Sequence, residues 1–163
     1  MKGTLIVLAV ILTPLIEQTV DTNLLKIRTL FYQATEESES ADLLMAMLIE
    51  PITSSDLTLQ GYMGMSFMLL SKYSYNPYEK IYYFKKGSSI LDQAIEEDKE
   101  NIELRFLRFT VQSEAPIFLN YRYALSSDFT FIHTHVNNIM DFDLKKRIND
   151  FLYYQKYVAA ETN

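Results

Sequence analysis

The sequence predicts an all-α fold, built from about seven helices that stack as antiparallel hairpins. Three observations carry this expectation. Apolar residues recur at i, i+3, i+4 and i+7 through most of the chain, and no segment alternates convincingly as a strand. Capping residues stand ahead of successive apolar runs, and Pro51 and Pro116 close two of them. Three of the four glycines, Gly61, Gly64 and Gly87, fall inside predicted helices. Each costs about 1 kcal/mol there relative to alanine, so a close approach of neighbouring helices is the expected reason for them.

Residues 1–20 raise a question of targeting rather than folding. Lys2 precedes the apolar run TLIVLAVILTPLI, which falls short of the roughly 20 residues a transmembrane helix needs. The segment reads as a signal peptide or N-terminal hydrophobic segment, with Val20 and Thr22 as the only small pair downstream. Residues 21–163 then form the helical domain. Export to the periplasm or outer envelope is expected, a cytoplasmic location being the alternative.

The first helix is expected over residues 24–37, capped by Asp21, Thr22 or Asn23, with Leu24, Ile27, Leu30, Phe31 and Ala34 inward. Ser40 is expected to cap the second, ADLLMAMLIE, which Pro51 ends. Ser54, Ser55 or Asp56 caps the third, over residues 57–72. That helix is apolar nearly all round, which places it in the middle of the stack. Asn76-Pro77 is a turn signal. A fourth helix follows to Glu97, starting at Tyr78 or Lys80, with Ile81, Phe84, Ile90, Leu91, Ala94 and Ile95 inward. The fifth covers residues 101–113. Ser126 or Ser127 caps the sixth, which runs to Met140, and Asp141 or Asp143 caps the last, over residues 144–158. The segment IFLNYRYAL between the fifth and sixth helices reads as loop or extended.

Composition narrows the function classes. A net charge of −6 speaks against a nucleic-acid partner, because phosphate binding requires a dense basic face. Without cysteine there is no disulfide framework, thiolate metal site or acylated anchor. Twelve Tyr and ten Phe with no Trp suit helix–helix layers whose tyrosines keep their hydroxyls wet. His133 and His135 point about 200° apart on a helix, so they cannot chelate one metal together. No metal and no cofactor is expected. The carboxylate pairs Glu36/Glu37 and Glu96/Glu97 sit at helix ends, and Ser88 and Ser89 have no histidine close in sequence. The chain is read as non-enzymatic.

Helix pairs starting near residues 23, 57 and 80 or 101 come near the period of about 34 residues of tetratricopeptide repeats. Gly64 and Phe67 resemble the small and aromatic positions of that motif's first helix, and Gly87, Leu91 and Ala94 the small, bulky, small series of its second. Gln60, Met63 and Lys99 depart from it. The fold is therefore read as a short tetratricopeptide-like α-solenoid. A Gly-Tyr-x-Gly helix from Gly61, the Lys72-Tyr73 and Asn76-Pro77-Tyr78 loop, Tyr83-Phe84-x-x-Gly87 and LRFLRF at 104–109 together resemble a family of small, uncharacterised, usually exported helical proteins of Gram-negative bacteria. The lysine-rich last helix DLKKRINDFL adds to the likeness, which covers most of residues 24–152. It implies helical stacking and export, and brings no activity or catalytic residue.

Candidate binding residues gather around the fourth and fifth helices. Arg105 and Arg108 share a face with Asn101 and Gln112, and two guanidiniums there can grip a carboxylate or phosphate. Tyr62, Tyr73, Tyr75, Tyr78, Tyr82, Tyr83 and Tyr121, with Lys72 and Lys80, are the tyrosines and lysines expected to line the same groove. The partner is read as a peptide or protein segment. The plainer alternative has both arginines bracing the connection by pairing with Glu96, Glu97 or Glu103. A second functional alternative is a small-ligand or hydrolytic pocket at Tyr62, Tyr73 and Arg105. A third is a purely structural subunit. Membrane contact is expected only through residues 1–16, if uncleaved, while the last helix is read as a cap burying Ile148, Phe151, Leu152 and Tyr157.

Overall fold

A computed structural model describes residues 22–49 and 56–161. The hydrophobic leader, Asp21, Pro51, Ser54 and Ser55 and the side chain of Tyr157 lie outside the described residues. Within them the chain is all-helical and has no strand. The α-helices are α1 (Thr22–Glu36), α2 (Ser38–Ile49), α3 (Leu57–Tyr73), α4 (Pro77–Glu97), α5 (Ile102–Glu114), α6 (Leu125–His135) and α7 (Phe142–Glu161). Short 3-10 turns at Ile117–Leu119 and Val136–Asn138 flank α6. The first helices of successive pairs start at Thr22, Leu57 and Ile102, in steps of unequal length.

Local chemistry explains most boundaries. The Asp56 carboxylate accepts from the Thr58 and Leu59 amides, and Asn101 from those of Glu103 and Leu104, so both satisfy N–H groups that a helix start leaves open. Asn76 caps α4, and Pro77 takes the first helical position, where no amide hydrogen is needed. Asp141 caps α7 through the Leu144 amide at 3.0 Å. Two expected caps are corrected. Ser40 stands inside α2, which follows α1 after the single residue Glu37. Ser126 and Ser127 lie inside α6, where the Ser127 hydroxyl donates back to the Ala124 carbonyl instead of capping. That helix also stops at His135 rather than Met140, tightening into its 3-10 turn.

Packing starts from α3 and α4. A methyl group at Gly64 would stand 2.7 Å from the Gly87 carbonyl oxygen, and one at Gly87 would overlap the Gly64 carbonyl. The two backbones therefore touch, and neither can yield as a side chain would. Leu91, Ala94 and Ile95 of α4 close on the largely buried α3, with Leu44 and Leu48 of α2 and Ile27, Phe31 and Ala34 of α1 completing the core. Leu104 and Leu107 join that core from α5. Phe106 and Phe109, on the other side of α5, build a second core with Ile132, Val136, Leu144 and Ile148. Helix α7 buries Leu144 and Ile148 and partly buries Phe151 and Leu152 in this second core. Ile81, expected inward, is 46% exposed. Helix α4 has 21 residues against 13 in α5, and its first turns overhang what α5 can cover.

Replacing Gly87 with Ala is expected to destabilise by about 1–3 kcal/mol despite the better helix propensity of alanine. Gly61→Ala is expected to stay within about 1 kcal/mol of wild type, since its worst contact is the end of the Leu104 side chain. Urea midpoints of the two variants check this; equal effects would count against backbone contact at Gly87.

Candidate functional site

Helix α5 carries a buried charge cluster on each of two sides. On one, Arg28 of α1, 1% exposed, sets its guanidinium against the Glu103 carboxylate in two parallel bonds of 2.6 Å. Its third nitrogen donates to Asp141 at 2.7 Å and Asp143 at 3.3 Å. The Tyr62 hydroxyl donates to Glu103 at 2.8 Å, so α1, α3, α5 and the start of α7 meet around the Arg28–Glu103 pair. Burial opposes the Arg28 charge, but the bonds to Glu103 and Asp141 outweigh it and hold the group above its ordinary value. Burial, then the Glu103 charge, pushes the Tyr62 hydroxyl well up.

On the other side, Asp128 of α6 is fully buried and accepts from Arg108 at 2.7 and 2.9 Å and from Arg105 at 3.1 Å. Arg108 also reaches Asp92 of α4 at 3.3 Å, where the Tyr121 hydroxyl donates at 3.1 Å. Arg105 further donates to the Lys99 carbonyl at 2.6 Å and lies 4.2 Å over the Phe131 ring. The arginines do brace the helices, but not through the expected glutamates. Glu103 faces Arg28 on the far side of α5, Glu96 is exposed with Lys99 at 3.0 Å, and Glu97 is exposed beside Gln93. The sequence pattern singles out Arg105 and Arg108 correctly as a shared face, and misses Asp128 because that residue is 20 positions from Arg108. One turn further along α5, Gln112 is buried with neither amide atom bonded to any described residue.

The candidate tyrosines and lysines divide between three places. Tyr62 belongs to the Arg28 cluster, and Tyr121 to the Asp92–Asp128 cluster, its ring edge-on to Phe84. Lys72, Tyr73, Tyr75 and Lys80 stand at the α3–α4 connection. There the Tyr73 hydroxyl donates to the Ala34 carbonyl at 2.8 Å, Lys72 donates to the Thr35 carbonyl, and Lys80 to that of Lys72 at 3.4 Å. The trio Tyr62, Tyr73 and Arg105 thus spends its polar atoms on four separate partners, none of them shared.

The concavity lies elsewhere, between α1, α3 and α5. It holds about 380 Å³, with a floor of Phe31, Met65, Met68, Leu69, Phe106 and Leu107. Phe84 of α4 and Phe151 of α7 also line it, and Tyr32, Thr35, Glu36, Lys72, Thr110 and Glu114 bring polar atoms to it. Of the candidate residues only Lys72 lines this groove. Its apolar lining includes core positions such as Phe31, Met65 and Leu107, which periodicity alone marks as packing. Comparison with protein-family models, curated proteins and solved structures finds no match to this chain. Among the described residues no group of three His, Asp or Glu is placed to hold a metal ion, and no helix is long and apolar enough to cross a membrane.

Arg108→Ala is expected to cost about 3–5 kcal/mol by leaving Asp128 buried and underpaired, while the Arg108→Met/Asp128→Leu double variant loses less than the sum of its singles. Chemical denaturation of the four proteins measures the coupling. A second expectation concerns alkali. Tyr62 and Tyr121 are raised from 10.0 in the fold, and Tyr123 is pushed up to about 12, first by burial and then by Asp92. A raised folded value contributes stability that is complete below the unfolded value and is lost as pH rises through the folded one. Urea midpoints should therefore hold up to about pH 9 and fall between about pH 10 and 12, less steeply in Tyr121→Phe. An identical slope in that variant would contradict the assignment.

Proposed function

We propose that this chain is a non-enzymatic, tetratricopeptide-like interaction domain, exported to the periplasm or outer envelope, that holds a short segment of a protein partner. The groove between α1, α3 and α5 carries the reading. Its floor includes two methionines, whose unbranched thioether chains adapt to different apolar side chains. Lys72 on one wall and Glu36 and Glu114 on others offer charges of both signs around it, which suits a peptide with one apolar anchor and polar flanks. The hairpin order of α1 to α4 and the small residues at their crossings support the repeat-like reading, and the resemblance at residues 24–152 supports export.

The Arg105–Arg108 face is not the first choice for the contact, because both guanidiniums already saturate Asp128. Thr110 is half-buried at the groove, and Thr110→Trp should fill it without touching either ion cluster. Against an immobilised library of short peptides bearing Leu or Phe anchors, wild type is expected to retain a subset. The folded Trp variant should lose at least about tenfold in affinity for these peptides by calorimetry. Undiminished binding by the variant would remove the groove from the reading.

A further inference from the structure

The overhanging start of α4 turns an apolar stripe outward. Tyr78, Ile81, Tyr82 and Lys85 stand at i, i+3, i+4 and i+7, the spacing of one helix face, and all four are exposed. Tyr75, at the preceding loop, is fully exposed as well. Contact of Tyr121 with Phe84, at 5.4 Å between ring centres, brings the loop after α5 alongside these turns, and Ile117 and Phe118 on that loop are about 80% exposed. A helix face that is aromatic toward solvent is the reverse of ordinary amphipathic patterning.

Charge indicates what covers it. Residues 72–86 and 116–124 carry five basic side chains (Lys72, Lys80, Lys85, Lys86 and Arg122) and one acid, Glu79, which bonds to Ser74. The remainder of the chain carries ten basic against twenty acidic residues. An acidic protein thus ends in a basic, tyrosine-rich tip. Of the five, Lys72 also lines the groove with Glu36 and Glu114, and Lys86 lies over the Phe67 ring. This leaves Lys80, Lys85 and Arg122 against Glu79 at the tip itself, with Glu36 and Glu37 acting on Tyr73 at its edge. Neither the groove nor the cavities of about 370 and 340 Å³ is lined by Tyr75, Tyr78, Ile81, Tyr82, Ile117 or Phe118. A two-fold contact with a second copy would set these lysines against themselves. Tyrosine rings beside lysines are suited to a lipid headgroup layer, with the ring body in the apolar edge and the hydroxyl and ammonium among phosphates.

We infer that the α3–α4 tip, with the Ile117–Phe118 loop, docks on an anionic lipid surface. This goes beyond peptide capture in the groove and does not depend on it. The absence of natural tryptophan makes a clean reporter available: Tyr78→Trp in the full chain, with the exposed Tyr153→Trp on α7, outside the tip, as the control. With vesicles of phosphatidylcholine containing phosphatidylglycerol, the Tyr78→Trp emission should shift to the blue and that of Tyr153→Trp should not. Pure phosphatidylcholine vesicles should give little shift. Lys80→Glu/Lys85→Glu should weaken co-sedimentation with the anionic vesicles by about tenfold or more, and raised salt should do likewise. Thr110→Trp should sediment like wild type, which separates failure at the tip from failure at the groove. The inference is overturned if the charge-reversed protein sediments as well as wild type, since residues 1–16 alone would then hold the membrane. It is also overturned if Tyr78→Trp responds to an acidic polypeptide such as poly-glutamate but not to anionic vesicles.

Discussion

The contact between Gly64 and Gly87 is the constraint from which the arrangement of the helices follows. Where two helix backbones meet carbonyl to Cα, the distance and crossing of the pair are set by atoms that cannot change rotamer. Leu91 then lies over the empty face of Gly64, and Met68 over that of Gly87. One turn earlier, Gly61 leaves the space that Leu104 enters, so the same device seats α5 on the first pair. Three glycines thereby order three helices, and the conformational cost of glycine in a helix is offset by contacts that no larger residue permits.

Helix α5 distributes what that arrangement makes possible. Its leucines face the first core and its phenylalanines the second, while Glu103 and Arg108 send charges to opposite sides. The Arg28–Glu103 bond joins residues 75 apart, and the bond to Asp141 spans 113. Bidentate geometry of this kind fixes orientation as much as it contributes energy, because removing the ions from water costs about what their attraction returns. The clusters pin α1, α6 and α7 to the centre at defined angles. One consequence is subtractive: Arg28, Arg105 and Arg108, which have the chemistry to grip an anion, already spend it on Glu103 and Asp128.

Much of the local architecture was legible in the residues. Asn76 with Pro77, Asp56 and Asn101 mark helix starts by their own hydrogen bonding, and the all-round apolar character of α3 marks it as central. The serines misled, since a hydroxyl at the first turn serves equally as a cap or as a donor to the preceding carbonyl, and the choice between these rests with the backbone around Ala124. Ile81 misled for a different reason. Its spacing is that of an inward residue, but inward requires a neighbour, and α5 is too short to supply one.

By itself the sequence determined the helices, their central member and the small residues at their crossings. Those properties depend on hydrogen bonds and side-chain volumes within one or two turns of chain. Tertiary structure decided which carboxylate each arginine meets, which core residues open into a groove and which tyrosines remain in water. These depend on contacts between residues tens of positions apart. Asp128 becomes the partner of Arg108, and Tyr78 remains exposed, only once helices of unequal length have been set side by side.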